Sequence, residues 1–341
     1  MPALAVADAL RERGASVFFI GGRRAERELV PAAGYELLEI AVEGLDRRNP
    51  IRAGRALARA VGATGRARGF LRERGAQAVM GGGGYVAGPV ALAATTLGLP
   101  VVLTEADSHL GLSNRILAPA ARRVCLAFPV AGRDGGRYLV TGRPCPPASA
   151  GRVESRAALG IPADAACLLV FGGSLGSRRI NEAAFEAFAE AAPARASVLH
   201  IAGARDYPEL AGRSRGPHYD LREFLPIERF GEALAASDLV VARAGGSIFE
   251  VAAYGRPAIL IPYPQATGDH QAGNAAWMER ARAAVVIADG DLTAERLGAE
   301  VERLLGDPER LAGMAAASAG LARPDAAAAI ADELLRAAAG G

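Results

Sequence analysis

The sequence predicts an α/β protein built of two doubly wound domains, on three observations. Short apolar runs suited to buried strands alternate with helical patterns along nearly the whole chain, which indicates βαβ units and a parallel sheet covered on both faces. That alternation breaks once, at Thr141 to Arg152 (TGRPCPPASAGR), a stretch of proline and small residues that reads as an interdomain linker. A length of 341 residues also exceeds what one hydrophobic core usually organises. The domains are therefore set at residues 1–145 and 146–324, with a final alanine-rich helix over 325–339 that can pack back onto the first.

Pro2 to Arg13 has apolar residues at helical spacing and a proline in its first turn, so it predicts a helix ending at Gly14. A buried strand follows at Ser16 to Gly21, then a helix around Ala25 to Ala33, a strand around Tyr35 to Ile40 and an arginine-rich helix from Ile51 to Arg74. Ala78 to Met80 is the next strand, and the tetraglycine Gly81 to Gly84 turns into a helix from Gly88 to Leu97. Pro100 to Thr104 is a further apolar strand. After the linker the pattern restarts with strand Cys167 to Phe171, the turn Gly172 to Gly176, a helix to Glu190 and strand Ser197 to Ala202. A loop reaches Phe224. Helix Phe230 to Ala236, strand Leu239 to Ala242, the turn Gly245 and Gly246, a helix to Tyr254 and strand Ala258 to Ile261 complete the series.

Charge and cysteine usage narrow the function. Every basic residue is arginine, and nine arginines fall between Arg47 and Arg74. They form a local cationic surface suited to a solvated face, anionic lipid head groups or a pyrophosphate. Aromatic residues are sparse there and no helix-turn-helix or zinc-finger spacing appears, which disfavours nucleic acid as a partner. Cys125, Cys145 and Cys167 form no CxxC pair, and an odd number argues against a disulfide framework. No run of about 18 apolar residues is available to span a membrane, so any membrane contact is expected to be peripheral.

Three segments carry chemistry. Phe171-Gly-Gly-Ser-Leu-Gly-Ser177 lies between a strand and a helix, where backbone N–H groups and a positive dipole end form a phosphate cradle and Ser174 can add a hydroxyl donor. Arg243-Ala-Gly-Gly-Ser-Ile-Phe-Glu250 repeats the arrangement, with Ser247 at the helix entrance. Glu250 there suits either a Ser-x-x-Glu capping box or a carboxylate holding ribose hydroxyls. Both turns follow parallel strands, and doubly wound sheets bind ligands at that edge. The third, Pro262 to Asn274 (PYPQATGDHQAGN), brings Asp269, His270, Gln271 and Asn274 into reach of sugar hydroxyls. His270 has no second histidine or cysteine at ligand spacing, so no metal site is expected.

Together GGSLGSRRIN, ARAGGSIFEVAAYGRPAILIPYP and DHQAGNA, with MGGGGYVAGPVALAATTLGLPVVLTEAD and GLSNRILA upstream, resemble the MurG family of UDP-GlcNAc-dependent N-acetylglucosaminyltransferases over essentially the whole chain. The resemblance implies a GT-B fold with the active site between two Rossmann-like domains. It implies UDP-GlcNAc as donor, a muramyl peptide on undecaprenyl pyrophosphate as acceptor, no metal or other cofactor, and a peripheral place on the cytoplasmic face of the cell membrane, against anionic lipids. By position it gives Ser174, with Gly173 and Gly176, the diphosphate. Gly246 and Ser247 flank it, Glu250 takes the ribose, Gln271 and His270 the GlcNAc hydroxyls, and Phe224 and Leu225 the uracil. Gly82, Gly83, Gly84, Tyr85, Thr104 and Asn114 would face the acceptor, with Glu105 and Asp107 as candidates for the general base.

Three departures from the family pattern stand out. The family's opening strand and Gly-Gly-Thr-Gly-Gly-His turn precede the helix with which this sequence starts, so the first strand of the N-terminal domain is expected to be missing. A start codon placed too far downstream is the favoured explanation. The family's His-Glu-Gln-Asn is here Thr104-Glu-Ala-Asp107, and Pro146 replaces a linker arginine. A related transferase with another acceptor, a non-catalytic UDP-sugar binder and a UDP-GlcNAc epimerase of the same fold are the competing readings.

Overall fold

A computed structural model describes residues 2–23, 25–42, 50–173 and 175–340. The chain divides into two compact units, one of residues 1–145 with 323–341 and one of residues 146–322. The first unit contains, in order, α1 (Pro2–Glu12), β1 (Phe18–Gly21), α2 (Glu26–Ala32), β2 (Glu36–Glu39), α3 (Pro50–Glu73), β3 (Val79–Gly81), α4 (Gly84–Thr96), β4 (Val101–Glu105), α5 (Leu112–Leu117), β5 (Arg123–Leu126) and β6 (Tyr138–Val140). The second runs through α6 (Arg152–Leu159), β7 (Cys167–Phe171), α7 (Arg178–Phe188), β8 (Ser197–Ile201), α8 (Tyr207–Ala211), β9 (Tyr219–Arg222), α9 (Ile227–Ala236) and β10 (Leu239–Ala242). It continues with α10 (Ile248–Ala253), β11 (Ala258–Leu260), α11 (His270–Arg280), β12 (Ala284–Val286), α12 (Ala294–Leu305) and α13 (Pro308–Leu321). The last helix, α14 (Ala326–Ala339), returns to the first unit.

In the first unit β1 pairs in parallel with β2, and β3, β4, β5 and β6 form a separate parallel sheet in that order. The two sheets share no ladder among the described residues, and a cavity of about 930 Å³ is lined by both β1 and β3 with α1, α4 and α14 around it. Its walls include Val6, Leu10, Phe19, Met80 and Val86. The return of α14 is apolar first: Val6, Val102, Ile330 and Leu334 are buried in one cluster. Two ion pairs then fix its register, Arg13 Nε to Asp332 at 3.0 Å and Arg123 Nε to the buried Glu333 at 2.8 Å.

The second unit holds one six-stranded parallel sheet in the order β12-β11-β10-β7-β8-β9. The chain winds from β7 outward through β8 to β9, then crosses back to β10 on the other side of β7 and winds outward again. The reversal of direction falls between β7 and β10, where a doubly wound sheet leaves a crevice at its carboxyl edge. Every residue of β7 and of β10 is buried, because both faces are covered and only uniformly apolar strands suit such a position. Leu168, Val170, Phe185, Phe188, Val241 and Ile259 belong to the core that α7 and α12 close. α12 opens on Thr293, whose hydroxyl accepts from Arg296 N, and α13 on Asp307, which accepts from Arg310 N ahead of Pro308.

The segment before Phe224, expected as loop, contains α8 and β9. α4 begins at Gly84, four residues before its expected start, and carries Pro89 inside it. None of the three cysteines is joined in a disulfide, and burial pushes the Cys125 and Cys167 thiols up to about 12.

Candidate active site

The first glycine turn, between β7 and α7, is tight because glycines permit it. Gly173 and Gly176 take φ of +98° and +79°, and Gly176 N donates to Gly173 O at 2.9 Å. Ser174 lies outside the described residues, and its expected phosphate contact with it. Ser177 stands at the entrance of α7 with extended backbone. Its side-chain oxygen, instead of capping the helix, accepts from Arg243 Nε at 3.0 Å. The first N–H groups of α7 have no acceptor within the helix and lie at its positive dipole end beside the turn, which favours an anion there.

The second turn leaves β10 beside the first. Gly245, Gly246 and Ser247 lead into α10, with Glu250 in its opening turn. Ser247 is helical in backbone and forms no side-chain cap, so the capping box expected for Ser247 and Glu250 is not closed from the serine side. The third loop is drawn onto the second by side chains of α11. Asn274, buried, donates from Nδ2 to Ala244 O at 3.1 Å. Gln271 accepts from Tyr263 N at 3.0 Å, and its Nε2 lies 3.9 Å from where a Cβ on Gly245 would sit. His270 opens the same helix. Phe224, 58% exposed, and Leu225, buried, follow β9 on the other flank of the sheet. The structure thus gathers Gly173, Gly176, Gly246, Ser247, Glu250, His270 and Gln271 on turns that leave β7, β10 and β11, three adjacent strands.

A polar network fixes the floor of the first turn. Asn181 of α7 is buried and donates from Nδ2 to Ala202 O (2.8 Å) and Asp206 Oδ2 (2.9 Å), so its Oδ1 is left to accept from His200 Nε2 at 3.0 Å. His200 Nδ1 then accepts from the Tyr219 hydroxyl at 2.6 Å. The partners assign a neutral imidazole with its proton on Nε2. Complete burial pushes the His200 pKa down to about 3. The folded value lies below the ordinary value near 6.5, so at intermediate pH the unfolded chain binds a proton that the folded one refuses. Stability is retained above about pH 6.5 and falls by about 1.4 kcal/mol per unit as pH drops toward 3. His200→Gln is expected to flatten that slope, read from urea midpoints between pH 4 and 7. An unchanged slope would place the acid sensitivity elsewhere.

In the first unit, the turn after β3 presents Gly82, Gly83 and Gly84 to open space, where an added Cβ on any of them meets nothing within 4 Å. Tyr85 follows as the second residue of α4. Thr104 donates to Gly81 O at 3.3 Å, tying the ends of β3 and β4 together. The two carboxylates expected as bases part company. Glu105 is buried and its oxygens are taken up by its own loop: Oε1 accepts from the N–H groups of Ala106 (3.0 Å) and Asp107 (3.3 Å), and Oε2 from Gly111 N (2.8 Å) and Asn114 Nδ2 (2.9 Å). Asn114, expected to meet the acceptor, is 2% exposed and donates also to Thr104 O at 2.9 Å. Both side chains hold the 106–111 loop rather than face a ligand. Asp107 is half-buried on that loop.

Arg243, Asn181 and Asp289 complete the second unit's site and were not singled out from the sequence. A charged residue directly after a fully buried strand is the signal that Arg243 offered.

Known proteins resemble the chain in sequence and in fold. The glycosyltransferase family 28 N-terminal domain matches residues 1–126 and the family 28 C-terminal domain residues 167–330. A UDP-N-acetylglucosamine–N-acetylmuramyl-(pentapeptide) pyrophosphoryl-undecaprenol N-acetylglucosamine transferase of Moorella thermoacetica is 40% identical over 312 residues, which is 87% of this chain and 84% of the relative. The crystal structure of Acinetobacter baumannii MurG superposes with a TM-score of 0.76 at 27% identity, over 98% of this chain and 95% of that one. A UDP-GlcNAc 2-epimerase from Neisseria meningitidis, bound to UDP-GlcNAc, superposes at 0.65 with 12% identity, over 98% and 95%, and shares the fold alone.

Proposed function

The chain belongs to the MurG family of glycosyltransferase family 28, and from that membership we propose that it moves GlcNAc from UDP-GlcNAc onto the muramyl sugar of an undecaprenyl-pyrophosphoryl peptide, lipid I to lipid II, in peptidoglycan synthesis. It is an N-acetylglucosaminyltransferase of the GT-B fold. The observation that carries the donor side is the meeting of three turns at the carboxyl edge of the six-stranded sheet, stapled by Arg243, Asn274 and Gln271.

In this reading the diphosphate lies on the turn around Gly173, Ser174 and Gly176, against the first N–H groups of α7. Glu250 takes the ribose hydroxyls, Gln271 and His270 the sugar hydroxyls, and Phe224 and Leu225 the uracil. The acceptor's sugar hydroxyl attacks the anomeric carbon while the bond from that carbon to the diphosphate oxygen breaks. UDP leaves with the electron pair, and the configuration inverts. Preset N–H donors and the helix dipole stabilise the charge that develops on the leaving oxygen, so no metal or other cofactor is assigned to the step. Asp107 takes the hydroxyl proton, on a loop that Glu105 and Asn114 hold in shape. Gly82, Gly83, Gly84, Tyr85 and Thr104 face the acceptor.

The membrane side of the proposal rests on apolar side chains left in solvent on the first unit. Val61, Leu92, Leu112 and Ile116 are 68%, 49%, 43% and 67% exposed, and Arg115 stands beside Ile116 on α5. No helix among the described residues is long and apolar enough to cross a membrane. Contact with anionic lipids of the cytoplasmic leaflet would then be peripheral. Of the arginines expected to contribute, Arg47 and Arg48 fall outside the described residues, while Arg74 pairs with Glu36.

The test is a transfer assay with labelled UDP-GlcNAc and a defined lipid-linked muramyl pentapeptide, presented in vesicles with and without phosphatidylglycerol. The expected result is one disaccharide-peptide lipid formed per UDP released, faster on the anionic vesicles. Label passed only to a different acceptor, or converted to an epimer without any acceptor, would overturn the proposal.

A further inference from the structure

Side chains from separate turns of the second unit close into a ring behind the first glycine turn. Arg243, one residue past β10, donates from Nε to Ser177 Oγ at 3.0 Å. From Nη1 it donates to Asp289 Oδ1 at 2.6 Å and to the carbonyls of Ile261 and Pro262 at 3.1 and 3.3 Å. Its guanidinium also lies over the Tyr263 ring, 5.4 Å from the centroid. The second oxygen of Asp289 is 3.4 Å from Arg179 Nε, in the first turn of α7. Ser177 and Arg179 are two residues apart, so the ring returns to its starting point. The side chains of Arg243 and Asp289 are only 11% and 13% exposed.

A nearly buried ion pair is weak evidence for stability, since apolar residues of similar volume would serve as well. Its geometry is informative. One planar guanidinium sets the spacing between the turn after β7 and the turn after β11, a task a lysine ammonium cannot repeat with a single point of charge. The carboxylate holds that plane and also reaches the helix whose N-terminus faces the diphosphate turn. Two guanidiniums share one carboxylate, which leaves a net positive charge behind that turn.

We propose that the Arg243–Asp289 pair is a positioning device for the donor, with Asp289 fixing Arg243 so that the diphosphate turn and the Tyr263–Gln271 loop stand at a set separation. This rests on the donor reading above. Asp289 meets no substrate in that reading and acts through Arg243. The uracil side of the site, after β9 on the opposite flank of the sheet, does not depend on the pair.

The experiment is calorimetric titration of the full chain and its Asp289→Asn and Arg243→Lys variants with uridine, UDP and UDP-GlcNAc, each variant first shown to unfold cooperatively in urea. Asp289→Asn is expected to leave uridine affinity within twofold and to weaken UDP-GlcNAc at least tenfold. The double variant is expected to be no weaker than Arg243→Lys alone, since both act in one unit. Equal weakening of uridine and UDP-GlcNAc, or no weakening of either, overturns the proposal and leaves the pair a part of the scaffold. If the unaltered chain binds no UDP-GlcNAc, the donor reading itself is overturned and the proposal falls with it.

Discussion

Gly176→Ala is expected to lower UDP-GlcNAc affinity by about a hundredfold or more, through the backbone alone. A Cβ built on Gly176 would lie 2.0 Å from Ala202 O, and the residue holds φ at +79°, where side chains are strained in any case. The obstructing atom cannot swing aside. Ala202 O already accepts from Asn181 Nδ2 at 2.8 Å, and Ala202 N is tied to Arg222 O at 2.9 Å, so the carbonyl belongs to the fixed end of β8. The approach is reciprocal, because a Cβ on Gly203 would meet Gly176 N at 2.2 Å. The turn must therefore move off the sheet and take its N–H groups with it. A stability loss on the order of 3 kcal/mol is expected alongside. Gly173→Ala is the comparison: its added Cβ meets nothing within 4 Å at φ +98°, so it tests backbone strain without the collision and should cost only about 1 kcal/mol of stability. Donor affinity for Gly176→Ala within threefold of the unaltered chain would sink the argument.

That turn was legible in the sequence because its cause is local. Glycines directly after a five-residue apolar run announce a tight reversal at a strand's end, and β7 and β10 fall on the expected residues because strands buried on both faces must be apolar throughout. β9 escaped for the same reason in reverse. Its sequence Tyr-Asp-Leu-Arg alternates, with Tyr219 and Leu221 buried and Asp220 and Arg222 half-exposed, as suits a strand at the edge of the sheet. The Arg243–Asp289 contact was out of reach for a different reason: 46 residues separate the two, and only the strand order β12-β11-β10-β7 brings their turns together. Asn114 shows the limit of carrying a role over by position. Its place in the sequence suggests a ligand contact, whereas the structure gives it 2% exposure and a task in holding Glu105.

Glu105 and Asp107 sit two residues apart, and their variants should fail in different ways. Glu105→Ala would strand the N–H groups of Ala106, Asp107 and Gly111, and would leave the Asn114 amide only the Thr104 carbonyl as acceptor. A fully buried donor left without an acceptor costs about 1–3 kcal/mol; these part-buried ones cost less each, but together enough to open the 106–111 loop and carry Asp107 away from its place. Glu105→Gln keeps the shape but sets an NH2 group against donors on one side or the other, so it too should disturb the loop. Transfer is expected to fall about a thousandfold in both, because a reacting group displaced by about an ångström forfeits much of its effect. Asp107→Asn leaves the loop's N–H bonds intact and removes only the proton acceptor, a loss of about 100- to 10,000-fold. The two failures are told apart by hydrogen exchange of the loop amides. The N–H groups of Asp107 and Gly111 are held by the Glu105 carboxylate. Both Glu105 variants should speed their exchange, and Asp107→Asn should leave it unchanged. UDP-GlcNAc affinity should be unchanged in all three variants, since the donor residues belong to the other unit. Lost transfer in Glu105→Gln with unchanged loop exchange, and retained transfer in Asp107→Asn, would instead make Glu105 the base, and the four hydrogen bonds on its carboxylate would have to break before the reaction could proceed.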